Sequence, residues 1–122
     1  MVLVDTSVWV SHLRQAHLGL VGLLEGGEVA CHPFIIGELA CGNIKNRTTI
    51  LTLLEALPTT IAVEHREIMT FIENHALMGK GLGYTDVHLL ASSVLAGFPI
   101  WTLDRKLERV AETLHCKYQS VR

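Results

Sequence analysis

The stretch Met1-Val2-Leu3-Val4-Asp5-Thr6-Ser7-Val8-Trp9-Val10 decides the fold of this chain. Its apolar run, Val2 to Val4, is rich in β-branched residues and is typical of a short buried strand. The run ends at Asp5, and Thr6 or Ser7 suits the start of a helix. A strand that passes directly into a helix is the first step of an α/β domain. Since ligand sites of open parallel sheets lie at the carboxyl ends of the strands, Asp5 stands where a functional site is expected.

The rest of the chain alternates between strand-like and helix-like segments. After the first strand, the predicted strands are residues 28–31, 60–63, 100–103 and an edge strand at 117–121. The predicted helices are one that starts after Asp5 and then residues 18–24, 33–42, 46–57, 64–78, 86–96 and 104–114. Such alternation predicts a parallel sheet with helices on both faces. No repeat or linker divides the chain, so residues 1–122 are expected to form one domain.

Net charge, cysteine content and the lengths of apolar stretches exclude several classes of protein. The net charge is −2 and 49% of residues are hydrophobic, so any nucleic acid would be bound by a local basic patch and not by a basic surface as a whole. The three cysteines form no C-x-x-C pair and are expected to be reduced thiols of a cytoplasmic protein. We find no signal-peptide pattern, and the longest uncharged stretch, residues 87–103, is shorter than the roughly 20 apolar residues of a membrane span. The sequence therefore predicts no membrane association.

Four acids are candidates for a shared site. Asp5, Asp86 and Asp104 each lie at the start of a predicted helix, where an acid stabilises the helix by ~0.3–1 kcal/mol, so capping alone explains each of them singly. Glu38 is the only charged residue in a predicted helix whose preceding turn carries Phe34 and Ile35. A charge among apolar neighbours is costly unless it faces solvent, is paired or binds a cation.

The α/β topology would bring two strand-end acids and two helix acids to one edge of the sheet. Four carboxylates in one cleft cannot all stay ionised without a cation. Hard, oxygen-liganded ions that accept incomplete protein coordination are Mg²⁺ and Mn²⁺. The pattern therefore predicts a Mg²⁺ or Mn²⁺ site.

Four short motifs resemble those of PIN domains, and most of all those of VapC-type toxin ribonucleases. In chain order they are Asp5-Thr6-Ser7, Gly37-Glu38-Leu39, Tyr84-Thr85-Asp86 with Leu89-Leu90-Ala91, and Trp101-Thr102-Leu103-Asp104. Each motif is weak alone, but the ordered set covers nearly the whole chain. The resemblance implies a three-layer α/β/α fold with a mostly parallel sheet of about five strands. It also implies a metal-dependent endoribonuclease that forms homodimers and is inhibited by a small antitoxin protein.

The resemblance also assigns roles to residues. It implies that Asp5, Asp86 and Asp104 hold the metal, directly or through water, and that Glu38 completes its shell or orients the attacking water. The polar residues beside these acids would support them: Thr6, Ser7 and Thr102.

One departure from the family pattern concerns the residue two places after the fourth acid. Many members have an acidic or small polar residue there, whereas this chain has Lys106. This difference leaves open whether one or two metals bind, and it offers Lys106 to a phosphate. With Arg105 and Arg109 it forms a basic segment next to Asp104 that could contact the RNA backbone, although most such segments are solvated helix faces.

Two other functions are compatible with parts of the pattern. A phospho-acceptor receiver domain also has this length and acidic strand ends, but the chain has one acid after its first strand and no lysine that ends a late strand. A catalytically silent PIN-like module would keep the fold for binding or dimerisation. The apolar helix at residues 46–57 would suit a dimer or antitoxin groove, or it could simply be a buried core helix.

Overall fold

The computed structural model describes residues 1–120. Three strands and seven helices follow one another in these residues. The strands are β1 (Val2–Val4), β2 (Val29–Ala30) and β3 (Ile100–Trp101). The helices are α1 (Thr6–Arg14), α2 (Leu18–Glu25), α3 (Pro33–Cys41), α4 (Arg47–Glu55), α5 (His65–Asn74), α6 (Tyr84–Ala96) and α7 (Arg105–Thr113).

The first strand is the centre of the sheet. The strand order is β2-β1-β3 and both pairings are parallel, with Leu3 opposite Ala30 on one side and Ile100 on the other. Leu3 and Val4 are completely buried, which explains why β1 is a continuous apolar run and does not alternate with polar residues. The carboxyl ends of β1 and β3 therefore lie side by side, with Asp5 directly after one of them.

The prediction of five strands was too high for the described residues. The two outer predicted strands are reduced to single parallel bridges, Cys31 with Thr59 and Ile100 with Lys117. Pro58 has no N–H to extend the first of these ladders, and the carbonyl of Ile61 accepts from the Ser92 hydroxyl and not from a strand. The last residue of the predicted edge strand at 117–121, Val121, lies outside the described part of the chain.

The helices form two groups. With the outer bridges included, right-handed crossovers place α1 to α4 on one face of the sheet and α5 to α7 on the other. Accordingly α1 packs on α3 and α3 on α4, while α5 packs on α6. The prediction of an α/β fold with a parallel sheet is thus confirmed. The largest completely buried side chains come from both groups and the sheet: Leu3, Leu20, Ile35, Leu39, Ile68, Leu89, Leu90, Ile100 and Leu107.

Several helix ends differ from the predicted ones. Helix α6 starts at Tyr84 after Gly83, two residues before its predicted start at Asp86. Helix α5 ends at Asn74, four residues earlier than predicted, because Ala76 adopts a positive φ of 51° and the N–H of Leu77 returns to the carbonyl of Ile72. These differences shift helix ends but leave the acids at the predicted edge.

Helix α4 is not the buried core helix that its composition favoured. Only Leu54 is buried, whereas Leu53 is 60% exposed. Its apolar face borders a groove of about 290 Å³ that α1 closes with Trp9 and Leu13. Within residues 1–120, no helix combines the length and apolar character that crossing a bilayer requires.

Candidate functional site

Asp5 is held at the sheet edge by three hydrogen bonds to one of its oxygens. The residue is the N-cap of α1 and only 6% of its surface is exposed. Its Oδ2 accepts from the hydroxyl of Ser7 at 2.7 Å, from the hydroxyl of Thr102 at 2.7 Å and from the Ser7 N–H at 3.4 Å. Thr102 follows β3, so these bonds tie together the ends of the two neighbouring strands.

The same two hydroxyls also fix the loop that carries Asp104. The Ser7 oxygen accepts from the N–H of Leu103 at 2.9 Å, and the Thr102 oxygen accepts from the N–H of Asp104 at 3.0 Å. Asp104 then caps α7, since its Oδ1 accepts from the N–H of Leu107 at 3.0 Å. Asp5 and Asp104 are therefore both connected to one hydroxyl network.

Asp86 lies in the electrostatic field of those two acids. Its Oδ2 accepts from the N–H of Gly83 at 2.9 Å, in the first turn of α6. Burial raises the pKa of Asp86, and the charges of Asp5 and Asp104 raise it further, against the lowering effect of the Gly83 bond. The fold thus brings three acids from different parts of the sequence close enough to repel one another.

Glu38 reaches the same edge from α3, which lies on the other face of the sheet from α6 and α7. Its Oε1 accepts from the hydroxyl of Thr6 at 2.6 Å, and Thr6 is the neighbour of Asp5 in the chain. Unlike Asp5, Glu38 is exposed. It is not among the charges that raise the pKa of Asp86. Glu38 therefore flanks the group of three acids and does not belong to it.

Within residues 1–120, each of the four acids uses a single carboxylate oxygen for hydrogen bonds and none forms a salt bridge. The second oxygen of each acid is therefore left for another ligand. In the same residues no three His, Cys, Asp or Glu side chains form a ready-made cage for an ion. Mg²⁺ commonly keeps several waters and takes only one or two carboxylates from the protein, so this donor set fits it.

The capping and site interpretations of the acids are therefore compatible. Asp5 and Asp104 do cap their helices, but each does so with one oxygen. Asp86 bonds the backbone one turn earlier in the same way. Capping fixes the orientation of each carboxylate and leaves its other oxygen unused.

The three predicted basic residues lie on the first turns of α7 and are exposed. Lys106 and Arg109 line one cleft together with Lys80, whereas Arg105 does not line it. Sequence reasoning missed Lys80, because it lies in the glycine-rich loop of residues 79–83, far from α7 in the chain.

A layer of aromatic side chains, also missed by sequence reasoning, separates α3 from α6. His88 is buried between Phe34 and Tyr84, with ring centroids 4.4 and 4.5 Å from its own, and His32 lies 6.5 Å away. Burial, together with the neighbouring His88, lowers the pKa of His32 to about 4. Burial and the neighbouring His65 also lower the pKa of His88. Histidines without metal-ligand spacing gave no signal for such a layer.

Known proteins resemble the chain over nearly its whole length. The family model of the PIN domain matches residues 2–113. Ribonuclease VapC32 of Mycobacterium tuberculosis, in strains CDC 1551 / Oshkosh and ATCC 25618 / H37Rv, is 45% identical over 109 residues, which are 88% of each chain. The crystal structure of PAE2754 from Pyrobaculum aerophilum superposes with a TM-score of 0.62 over 93% of this chain and 90% of that one. At 17% identity the last similarity concerns the fold alone.

Proposed function

This chain belongs to the PIN domain family, and on that premise we propose that it is a Mg²⁺- or Mn²⁺-dependent endoribonuclease, the toxin of a toxin-antitoxin pair. The similarity to a ribonuclease over 88% of both chains supports the reaction class. The single observation that carries the proposal for this chain is the set of acids at the sheet edge, each with an unused oxygen.

The proposed metal ligands are Asp5, Asp86 and Asp104, directly or through water. Glu38 would complete the shell or orient the attacking water. When bound, a divalent ion supplies an activated water and neutralises charge that develops on the phosphate. The raised pKa of Asp86 supports this assignment, because a cation would stabilise the charged form that burial and the neighbouring Asp5 and Asp104 disfavour.

The chain's own contribution is to fix these acids in advance. The hydroxyls of Ser7 and Thr102 hold Asp5, and the backbone N–H groups of Gly83 and Leu107 hold Asp86 and Asp104. A carboxylate whose orientation is fixed by such bonds loses little freedom when it binds its ligand. No side chain of the protein needs to act as the nucleophile.

The decisive experiment is incubation of structured RNAs with the parent and Asp5→Asn proteins, with and without Mg²⁺ or Mn²⁺. Asparagine keeps the cap of α1 but removes the charge, so we expect the fold to persist and cleavage to fall by at least about 100-fold. Glu25→Gln, an exposed acid at the end of α2, is the matched control and should cleave as the parent does. Equal cleavage by Asp5→Asn and the parent would remove the proposal.

One observation favours a second candidate, a catalytically silent PIN-like module. Lys106 stands two residues after Asp104, where many family members have an acidic or small polar residue. Calorimetric titration with Mg²⁺ and Mn²⁺ separates the two. Binding that is lost in Glu38→Gln and Asp86→Asn supports the nuclease, and no binding by the parent supports the silent module. The receiver interpretation has lost its support, because the chain belongs to another family.

We further propose that the protein is a cytoplasmic homodimer and that a small antitoxin inhibits it. The groove between α1 and α4, with Leu53 exposed beside it, offers an apolar surface for such a partner. An arginine of the antitoxin placed among the acids would occupy their unused oxygens. Co-expression with the neighbouring small reading frame, followed by light scattering of the purified proteins, tests both statements. An active, harmless monomer would contradict them.

A further inference from the structure

A basic cleft lies between α7 and the turns that end α5. Its volume is about 300 Å³, and its polar rim consists of Lys80, Lys106 and Arg109 with His75. Leu77 and Val110 are among the apolar residues that form its floor. No acid lines it. A cleft with cations on the rim and an apolar floor is suited to an anionic ligand that also has apolar surface.

The cations of this cleft have no acidic partners in the part of the chain that the structure describes. In residues 1–120 the only salt bridges are those of Lys117 with Glu108 and Glu112, on the same helix α7 but outside the cleft. The two acids of α7 thus pair with Lys117, which lies outside the cleft. In the described residues, Lys80, Lys106 and Arg109 form no salt bridge. Like charges that gather without internal partners favour the binding of an anion.

The cleft adjoins the acids through one loop. The stem of Lys106 lies against Gly81, so closely that a Cβ at Gly81 would be 2.8 Å from the Lys106 Cδ. Gly81 has a φ of +78°, and two residues later the N–H of Gly83 binds Asp86. Lys106 itself is two residues after Asp104. The loop therefore positions an acid on one side and a lysine of the cleft on the other.

We propose that this cleft is a phosphate-binding subsite that holds the RNA backbone beside the acids. The proposal rests on the proposed endoribonuclease function and adds how the strand is held. Lys80, Lys106 and Arg109 would contact backbone phosphates, and the apolar floor would accommodate a ribose or base. Compared with the basic segment predicted from sequence, the subsite gains Lys80 and omits Arg105.

The first test measures binding without cleavage. A fluorescent single-stranded oligoribonucleotide is titrated in EDTA, over a series of salt concentrations, with the parent and with Lys80→Gln/Arg109→Gln. Each lost phosphate contact lowers the salt slope of log K by about 0.7, so we expect a decrease of about 1.4 and weaker binding to every sequence. Lys45→Gln/Arg14→Gln removes the same charge from exposed positions outside the cleft and should change neither quantity as much.

The outcomes separate this proposal from the function on which it rests. Equal affinity and salt slope in the two double variants, or no RNA binding by the parent, would overturn the subsite. In the cleavage assay we expect the cleft variant to raise KM by about 10-fold with little change in kcat, because it binds substrate and transition state alike. If the parent cleaves no RNA but the cleft variant loses RNA binding, the subsite stands and the nuclease proposal fails.

Discussion

The acid edge (Asp5, Asp86 and Asp104) and the histidine layer (His32 and His88) both bring titratable groups together inside the protein, but in opposite ways. Every carboxylate of the acid edge accepts hydrogen bonds from N–H or hydroxyl donors. In the described residues, Nε2 of His32 and both ring nitrogens of His88 have no partner. Hydrogen-bond donors thus surround the carboxylates of the acid edge, whereas the histidine layer packs as neutral aromatic rings. Burial of a titratable group does not by itself identify a functional site. The hydrogen-bond donors around the group distinguish the two regions.

Removing one donor of the acid edge should weaken both RNA cleavage and stability. Thr102→Val keeps the shape of the side chain but takes one hydrogen bond from the buried Asp5 and the acceptor from the Asp104 N–H. We expect RNA cleavage to fall by about 10- to 100-fold, as for other residues that orient metal ligands. The free energy of unfolding should fall by about 1–3 kcal/mol, measured by urea titration.

The control for this change is Thr70→Val. Thr70 is exposed on α5, outside the basic cleft, and its hydroxyl only returns to the carbonyl of Arg66. This variant should cleave RNA as the parent does and lose little stability. If Thr102→Val behaves in the same way, the hydroxyl network does not orient Asp5.

The histidine layer should respond to acid. Because the folded-state pKa of His32 is lowered to about 4 from its ordinary value of 6.5, the unfolded chain binds the proton more readily. The stability that the neutral ring contributes is therefore complete above about pH 6.5 and is lost as the pH falls toward 4. In His32→Asn, which preserves a residue able to cap α3, the unfolding free energy should decline less over this range.

The matched control is His115→Asn. His115 is exposed and has a φ of +58°, which asparagine tolerates. Its pH profile of unfolding should follow that of the parent. Parallel pH profiles for the parent, the control and His32→Asn would show that the histidine layer tolerates protonation. The layer would then not depend on neutral rings.

The acid edge should behave in the opposite sense when no metal is bound. The pKa of Asp86 is raised, so its charged form is disfavoured in the folded state, and the ionised carboxylate reduces stability above that pKa. Asp86→Asn should therefore increase the unfolding free energy in EDTA at neutral pH, while it abolishes metal-dependent cleavage. Differential scanning fluorimetry in EDTA and the RNA assay measure the two effects. Glu55→Gln, at an exposed position, should change neither, and a less stable Asp86→Asn would contradict the repulsion.

Much of the acid edge could be predicted from the sequence because strand ends and helix starts are local features. The apolar run before Asp5 and the strand before Thr102 place both residues at the carboxyl edge of a parallel sheet, whatever the details of packing. The fold class follows from the same alternation. The pattern did not predict that only one oxygen of each carboxylate accepts hydrogen bonds. For Asp5, the hydroxyl donors are 2 and 97 residues away in the chain.

The features that sequence reasoning missed depend on long-range packing. The strand predicted at residues 60–63 is reduced to a bridge at Thr59 because pairing depends on the neighbouring segment, here Pro58 and the Ser92 hydroxyl, and not only on β propensity. The apolar helix at residues 46–57 had the composition of a core, yet α4 covers a groove. Lys80 and Lys106 are 26 residues apart and meet only because the loop at Gly81 lies against α7.

The smallest effect is expected at Glu38, the acid that stands outside the group of three. Its contact with the Thr6 hydroxyl is exposed, so Thr6→Val should change the unfolding free energy by no more than about 0.5 kcal/mol. Cleavage should fall less than in Thr102→Val, because Glu38 loses its only hydrogen bond in the described residues but stays free to turn back to the edge. Kinetics of the two threonine variants, side by side, measure the difference. An equal or larger loss in Thr6→Val would show that Glu38 needs a fixed orientation as much as Asp5 does, and would place it with the other three acids as a direct ligand.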